Sequence, residues 1–242
     1  MFGDLYRANR QRVLKIMDGR DTEVTVPACP DWTALDVVRH LTGLASDVVA
    51  LDVDGYATEA WTDHQVASRQ GQSLEALTDE WSTSSQGLAA MLDDLDSSGL
   101  PEFIRTSTGL EKRQNFSAAI IGDLIHHEFD LRNAYGDRAD RDRPDVVLFG
   151  IGHAKALRPV FNHLGLPTLR IEIEGSGEHV DVGRDEPAAS LSLTPFEALR
   201  GIGGRRTRTE LEGLAWAGDS EQFLDHIVLP SMSPAGHSLA ER

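Results

Sequence analysis

The hydrophobic period of this chain changes once along its length, and this change constrains the fold more than any other feature. Up to about residue 136, apolar residues recur every three or four positions among polar ones, as in amphipathic helices. After about residue 165, stretches such as LRIEIEG and HVDVG alternate apolar and polar residues, which is typical of half-buried strands. The chain is therefore predicted to be α+β, with helices first and a mixed region after them.

Four helices are predicted in the first part, and an up-and-down four-helix bundle is the natural packing for them. The second has the clearest start, because Thr33 and Asp36 form a capping-box pattern directly after Trp32, which can pack back on the first turn. The fourth helix ends before Gly136, a residue suited to a helix C-terminus. The four predicted helices cover residues 5–17, 33–49, 74–92 and 116–131.

A fifth helix, over residues 145–164, is predicted to lead into the strands. The segments before and after it are predicted as two domains, a helical one over residues 1–140 and a small α+β one over residues 145–242. The segments between the bundle helices, residues 52–72 and 96–112, are predicted as connections without regular structure. The final stretch, SMSPAGHSLAER, is expected to be loose.

The composition describes an acidic chain with one cysteine. Its formal net charge of -16 and pI of about 4.9 disfavour nucleic acid and anionic membranes as partners. Cys29 has no second cysteine to pair with, which excludes an internal disulfide framework and fits a reducing compartment. Neither a signal peptide nor a membrane-spanning run is visible. We expect a cytoplasmic monomer or homodimer.

Three residues on two of the predicted helices suggest chemistry. Asp123 and His127 are four positions apart, so on a helix they point the same way, and His40 lies near the middle of an earlier helix. Two imidazoles and a carboxylate suit a divalent metal, zinc most readily, with positions left open for water or substrate. The alternative is a simple salt-bridging pair on a helix surface.

Three segments resemble one known family. PACPDWTALDVVRHLTG, TEAWTDHQVASRQGQSLEALTDEW and GDLIHHEFDLRNAYG are similar to stretches of the mycothiol-dependent, maleylpyruvate-isomerase-like enzymes of the DinB-like superfamily of metal-binding bundles. The resemblance covers nearly the whole chain, since that family also has a small α+β domain after its bundle. It implies that His40 and His127 are metal-ligating histidines and that Asp130 matches the family's aspartate three positions further on.

Asp123 departs from that family, which commonly has glutamate at this position. Its carboxylate is about 1–1.5 Å nearer the backbone, whereas metal–oxygen contacts tolerate only a few tenths of an ångström. This difference implies that the helices lie closer together, that a water bridges, or that the site is weakened.

The resemblance also places Arg69 and Arg205 in stretches thought to face the cleft between the family's two domains. Arg205 follows two glycines in GGRRTRTE, and arginine forks bind carboxylates with two hydrogen bonds. Both arginines are therefore candidate catalytic and ligand-binding residues, toward an acidic substrate or the polar groups of a thiol. A solvated surface is the alternative for each.

These features together predict a metal-dependent enzyme that uses a low-molecular-weight thiol, mycothiol in the resembled family, to conjugate or isomerise a small electrophile. A thiol bound to an open divalent metal loses its proton near neutral pH and becomes a nucleophile. The reaction would be that of an S-transferase or an isomerase. Two alternatives stay open: a non-catalytic metal- or ligand-binding protein, which Asp123 favours, and a hydrolase using metal-bound hydroxide.

Overall fold

A computed structural model describes residues 2–241 and confirms the α+β class. The chain divides into two compact units, which we call the helical unit, Met1–Asp137, and the mixed unit, Arg138–Arg242. The predicted domains 1–140 and 145–242, as independently folding parts, stay a prediction. Within the described residues, every helix is too short or too polar to cross a membrane.

The helical unit combines four long helices with one short helix and two small hairpins. Its helices are α1 (Phe2–Met17), α2 (Ala34–Val49), α3 (Glu59–Ala67), α4 (Leu74–Asp93) and α5 (Phe116–Ala134). Its strands are β1 (Thr25–Val26), β2 (Cys29–Thr33), β3 (Phe103–Thr106) and β4 (Gly109–Lys112), paired β1 with β2 and β3 with β4, both antiparallel.

The long helices pack in a closed ring, because α1 and α2 each contact both α4 and α5. Their apolar stripes meet in a core where Trp81 of α4 is fully buried. Its indole N–H donates to the hydroxyl of Tyr6 on α1 at 2.7 Å, and burial raises the pKa of that hydroxyl. The ring places α2 and α5, the two helices that carry the candidate ligands, side by side.

The segment 52–72, predicted as an irregular connection, contains α3 instead. Thr58 caps this helix by accepting a hydrogen bond from the Trp61 N–H at 3.3 Å. Helix α3 packs on α2 at Gly43, where an added Cβ would lie 2.6 Å from the Cβ of Gln65. Glycine therefore permits a close approach that brings α3 against the middle of α2. The segment 96–112 was also predicted as a loop, and it contains the β3–β4 hairpin.

The mixed unit is built on a four-stranded sheet in the order β6-β5-β7-β8, with β5 and β7 parallel and the other pairs antiparallel. Alternate strand residues, such as Leu169 and Ile171 of β5, pack with helix residues such as Phe161 in one apolar core. The elements are α6 (Pro144–Ala156), α7 (Arg158–Leu164), β5 (Leu169–Ile173), β6 (Glu178–Val182), β7 (Ala189–Leu193), α8 (Pro195–Ile202), α9 (Arg208–Glu212), β8 (Ala215–Ala217) and α10 (Glu221–Leu224).

Two predictions for this unit are wrong. The single helix over 145–164 is two helices interrupted at Leu157, because Pro159 lacks an N–H and its ring opposes a continuous helix. The stretch expected to be loose is anchored, since Leu239 and Glu241 are 5% and 3% exposed.

Candidate metal centre

His40 is positioned by the start of α2. Thr33 accepts a hydrogen bond from the Asp36 N–H at 3.2 Å, and Asp36 accepts one from the Thr33 N–H at 3.0 Å, so the predicted capping box is confirmed. Burial acts to raise the pKa of Asp36, but these hydrogen bonds and one from Arg39 outweigh it and lower the pKa. One turn further along, His40 is buried at 4% exposure.

Helix α5 brings Asp123 and His127 to the same volume. Asp123 Oδ2 lies 3.2 Å from His40 Nε2, and Asp123 Oδ1 lies 3.6 Å from His127 Nε2. One potential ligand atom from each of the three residues lies within 4.8 Å of the others. The structure therefore brings together the three residues singled out by their spacing and their resemblance to the family.

Gln65 of α3 fixes the ring of His40, and it is a residue that the sequence did not reveal. Its side-chain N–H group donates to the carboxylate of Asp47 at 2.7 Å, so its oxygen is the atom that faces His40 Nδ1, also at 2.7 Å. A carbonyl oxygen can only accept, which places the Nδ1 proton of His40 in this contact and leaves Nε2 with its lone pair. That lone pair points toward Asp123.

Asp130 is the corresponding partner of His127. Its carboxylate is fully buried and lies 3.2 Å from His127 Nδ1 without forming a hydrogen bond to it, so the contact acts mainly through charge. A carboxylate at this distance favours the proton on Nδ1 and leaves Nε2 as an acceptor. Histidines that bind metals are typically held by such a partner on the other ring nitrogen.

With both imidazoles neutral and in these tautomers, three acceptors converge: Nε2 of His40, Nε2 of His127 and the Asp123 carboxylate. A lone pair 3.2 Å from a carboxylate oxygen is repulsive unless a proton or a cation lies between them. The donor set has the composition and spacing that a divalent metal requires. The side chains of His40 and His127 are 5% and 8% exposed, but that of Asp123 is 28% exposed, so the site is open on one side.

Trp32 covers the two histidine rings. Its ring centroid lies 5.4 Å from that of His40 and 6.0 Å from that of His127, on which it stacks at 28°. The sequence suggested that Trp32 packs back on the first turn of α2, whereas strand β2 directs its ring onto the site. Cys29 on the same strand lies near His127 and Asp130, each offering one potential ligand atom within 4.8 Å of the others.

The neighbours of His127 on α5 face elsewhere. His126 is buried at 3% exposure, and Glu128 is fully buried, where Arg12 and Arg132 donate to it at 3.1 Å and 2.9 Å. Glu128 thus belongs to an ion network of the core.

Arg69 braces α3 rather than projecting freely. Its Nη2 and Nε donate to Glu80 Oε1 at 2.6 Å and 3.0 Å, and Nη1 donates to the Gln65 carbonyl and the Ser68 hydroxyl, both at 3.1 Å. Only 11% of its side chain is exposed. Arg69 therefore holds the end of α3, and with it Gln65, against α4.

Arg205 lies in the mixed unit, in the turn that follows α8. Its backbone N–H donates to the Arg200 carbonyl at 2.7 Å, and its Nη1 lies 3.5 Å from the Gly203 carbonyl. The adjacent Arg206 is buried, and Arg208 pairs with carboxylates near the surface. The three arginines of GGRRTRTE thus lie in three different environments.

A comparison with known protein families shows which family this chain belongs to. The family model described as the mycothiol maleylpyruvate isomerase N-terminal domain matches residues 7–132, just over half of the chain and most of the helical unit. The chain belongs to this family. The resemblance inferred from its three sequence segments is confirmed.

Two solved structures have a fold similar to that of this family member. One is a crystal structure of the mycothiol-dependent maleylpyruvate isomerase, 15% identical in sequence with a TM-score of 0.60, and the match covers 84% of this chain and 88% of that one. The other is a histidine-to-alanine mutant of the mycothiol-dependent maleylpyruvate isomerase, 14% identical, with the same TM-score and coverage. At such identities the similarity establishes the fold. No curated protein matches the chain.

Proposed function

We propose that this protein is a metal-dependent enzyme that uses a low-molecular-weight thiol to isomerise or conjugate a small electrophile, with His40, Asp123 and His127 holding a divalent metal. The observation that carries this proposal is the convergence of two imidazole lone pairs and one carboxylate on a partly open volume. Zinc suits this ligand set. Mycothiol is the thiol named for the family and for the similar solved structures.

The distances around Asp123 support a functional site despite its short side chain. Its two carboxylate oxygens lie within 3.2 Å and 3.6 Å of the two histidine nitrogens, so the carboxylate reaches the volume that they face. The aspartate side chain is therefore long enough to reach both histidines in this geometry. This favours the enzyme over the alternative of a non-catalytic binding protein that has lost its metal.

Each residue then has a separate task. The metal, when bound, would supply the positive charge that lowers the pKa of a thiol at its open position. Gln65 holds the ring of His40 by a hydrogen bond, and the charge of Asp130 favours the matching tautomer of His127. Asp123 contributes a negative charge on the exposed side, and Trp32 shields the two imidazoles from water on the other side.

The reaction that follows needs no cysteine of the protein. The thiolate adds to an activated carbon of the electrophile, forming a sulfur–carbon bond. If this carbon belongs to a conjugated double bond, addition leaves a single bond about which the substrate rotates, and expulsion of the thiolate restores the double bond in the other geometry. Atoms and electrons balance without an oxidant. The family name favours this isomerisation. In conjugation the thiol is not expelled, and the adduct takes up the proton that the thiol lost.

The roles of Arg69 and Arg205 in binding an acidic substrate or the thiol stay predictions. Arg69 would have to exchange its ion pair with Glu80 for a ligand, because its fork is directed at that carboxylate. An Arg69→Lys variant tests this, since lysine keeps the charge and loses the fork. A raised KM with intact metal content would support ligand binding.

Metal analysis of protein purified without a polyhistidine tag tests the centre itself. We expect about one equivalent of zinc in the native chain and His127→Ala to abolish it. His126→Ala is the matched control, since it removes the adjacent buried histidine of the same helix and leaves the ligands in place. A folded, metal-free native protein would contradict the proposal.

A panel of electrophiles, each tested with and without mycothiol, tests the reaction. We expect zinc-loaded protein to accelerate isomerisation or conjugation only when the thiol is present. Activity that is independent of the thiol would instead support the hydrolase. If zinc-loaded protein neither binds mycothiol nor accelerates any reaction in the panel, the proposed function is wrong.

A further inference from the structure

Two fully buried arginines of the mixed unit converge on one carboxylate. Arg200 and Arg206 are 0% and 1% exposed, and Glu241 is 3% exposed. Arg200 donates from Nη2 to Glu241 Oε1 at 2.6 Å and from Nε to Oε2 at 3.2 Å, and Arg206 Nη1 donates to Oε2 at 2.5 Å. A guanidinium that donates to both oxygens of a carboxylate, with a third donor on one oxygen, is a typical arrangement for tight carboxylate binding in proteins.

The two arginines differ in where their counter-charges come from. Arg206 directs its other donors, Nε and Nη2, to Glu197 of α8 at 2.9 Å and 2.8 Å, so it has a local carboxylate. The fork of Arg200, also on α8, is directed at Glu241, 41 positions away in the sequence. Three members of the network thus lie on α8 and the turn after it, and the fourth, Glu241, comes from a distant segment.

That segment, residues 231–241, is irregular throughout and is held by hydrogen bonds to several parts of the mixed unit. The Ala235 N–H donates to the Arg206 carbonyl at 2.9 Å, and Arg138 donates to the Ala240 carbonyl at 3.1 Å. Ala240 has a φ of +52°, a left-handed conformation that is unfavourable for a residue with a side chain. Glu241 is therefore one of the contacts that hold this stretch, and it directly follows a residue in an unfavourable backbone conformation.

We propose that Arg200 and Arg206 form a binding site for a single carboxylate, that Glu241 occupies it as a tethered ligand, and that a small free carboxylate enters when Glu241 is absent or withdraws. Without Glu241, the fork of Arg200 and Nη1 of Arg206 lose the buried carboxylate that they share, and removing one partner of a buried ion pair is strongly unfavourable. A tethered group has an effective concentration of about millimolar or above. A free acid therefore competes only weakly in the native chain and binds readily in its absence.

The test is chemical rescue of Glu241→Ala in the full chain, with sodium acetate as the probe and sodium chloride at equal ionic strength and pH as the reference. We expect this variant to melt several degrees below the native protein. Acetate should raise its melting temperature in a saturable way, whereas the native protein should respond no more to acetate than to chloride. Glu178→Ala, which removes an exposed glutamate of β6, is the matched control and should behave like the native chain.

Two further variants keep the proposal falsifiable. Arg200→Met with Glu241→Met removes both the fork and its ligand, so acetate should have no specific effect on it. If Glu241→Ala does not fold, Glu241→Gln keeps the size without the charge, and its melting temperature should also rise with acetate. Equal acetate responses in Glu241→Ala, the double variant and the native chain would overturn the site. This result is independent of whether the helical unit binds metal.

Discussion

The metal centre of the helical unit and the arginine network of the mixed unit both concentrate polar groups in the interior, but they are balanced differently. In the network, defined by Arg200, Arg206, Glu197 and Glu241, two positive groups face two negative ones at hydrogen-bonding distance. In the metal centre, atoms that only accept face one another. The first arrangement pairs charges of opposite sign within the chain, whereas the second, in our proposal, is completed by a cation.

This difference separates residues that stabilise the fold from residues that bind a ligand. A self-balanced buried network loses stability when one partner is removed, because the other charge stays buried. In a set of converging acceptors, the members repel one another. Replacing one of them therefore need not lower the stability of the fold. Substitutions in the two regions should therefore change different measurable quantities, stability in one and affinity in the other.

The largest effect on stability is expected in the arginine network. Arg200→Met should lower the free energy of unfolding by about 3–5 kcal/mol, because the Glu241 carboxylate stays buried without its fork. Denaturant melts measure this change. The matched control is Arg170→Met, which breaks the two-bond pair with Asp181 at 37% side-chain exposure and should cost under about 1 kcal/mol. Equal losses in the two variants would mean that burial does not distinguish these pairs.

The second prediction concerns the candidate metal centre, where substitutions of Asp123 should change metal affinity rather than stability. Asp123→Asn should lower zinc affinity by about 100-fold or more, because even partners outside the ligand set are worth 10–100-fold. In the metal-free protein the same change should leave stability within about 0.5 kcal/mol or raise it, since it removes a carboxylate facing two lone pairs. Asp123→Glu should bind zinc at least as well as the native chain.

Competitive chelator titrations and melts of the metal-free protein measure these two quantities. His126→Ala serves as the control for affinity, being a neighbouring histidine that lies outside the ligand set. Full zinc binding in Asp123→Asn together with its loss in His126→Ala would show that the ligands lie on a different face of α5.

The parts of this arrangement that the sequence predicts are those governed by local spacing. The capping box of Thr33 and Asp36 depends on contacts three residues apart, so the start of α2 is visible in the sequence. Asp123 and His127 share a helix face because they are four residues apart. His40 joins them only through the packing of α2 with α5. The prediction that it belongs to the ligand set rests on the family resemblance as much as on its position in a predicted helix.

The parts that the sequence does not predict depend on contacts between distant segments. Helix α3 buries only Gln65 and Val66, so it has no hydrophobic period to detect, and its position depends on Gly43 of α2. Glu241 lies in a polar stretch that looks loose, since nothing local indicates its pairing with Arg200. In both cases a polar side chain acquires its role only once the chain is folded.

A third prediction concerns the acid sensitivity of the mixed unit, which contains the buried ring of His153. Burial lowers the pKa of His153 from 6.5 to about 4, while its ring Nδ1 lies 3.2 Å from the Leu199 carbonyl. Because the folded pKa is the lower one, only the unfolded state binds the proton between pH 6.5 and 4, and stability falls as pH falls through that window. The loss should be about 2 kcal/mol, allowing for the partial exposure of the residue.

Denaturant melts of the native chain and of His153→Asn between pH 7 and 4 measure this contribution. Asparagine keeps a donor near the position of Nδ1 and does not titrate, so the variant should lose less stability over this range. The difference between the two curves isolates His153 from the carboxylates that also titrate. Parallel curves would show that His153 has no part in the acid sensitivity.

The smallest expected effect concerns Gln65, which neither binds the metal nor faces the substrate in our proposal. Gln65→Leu should weaken zinc binding by about 10-fold, because His40 loses the acceptor that fixes its Nδ1 proton and ring orientation. Gln70→Leu, an exposed glutamine just beyond α3, is the control and should bind zinc normally.

A paired substitution distinguishes this orienting role from simple packing. Gln65→Glu with Asp47→Asn restores both hydrogen bonds with donor and acceptor exchanged between positions 47 and 65, since asparagine can donate to the new carboxylate and that carboxylate can accept from His40. Zinc affinity should recover to at least the native value, because a carboxylate partner makes an imidazole a stronger ligand. If Gln65 only fills space, the double variant should bind zinc no better than Gln65→Leu. The assignment of the His40 tautomer, on which the convergence of acceptors depends, would then be wrong.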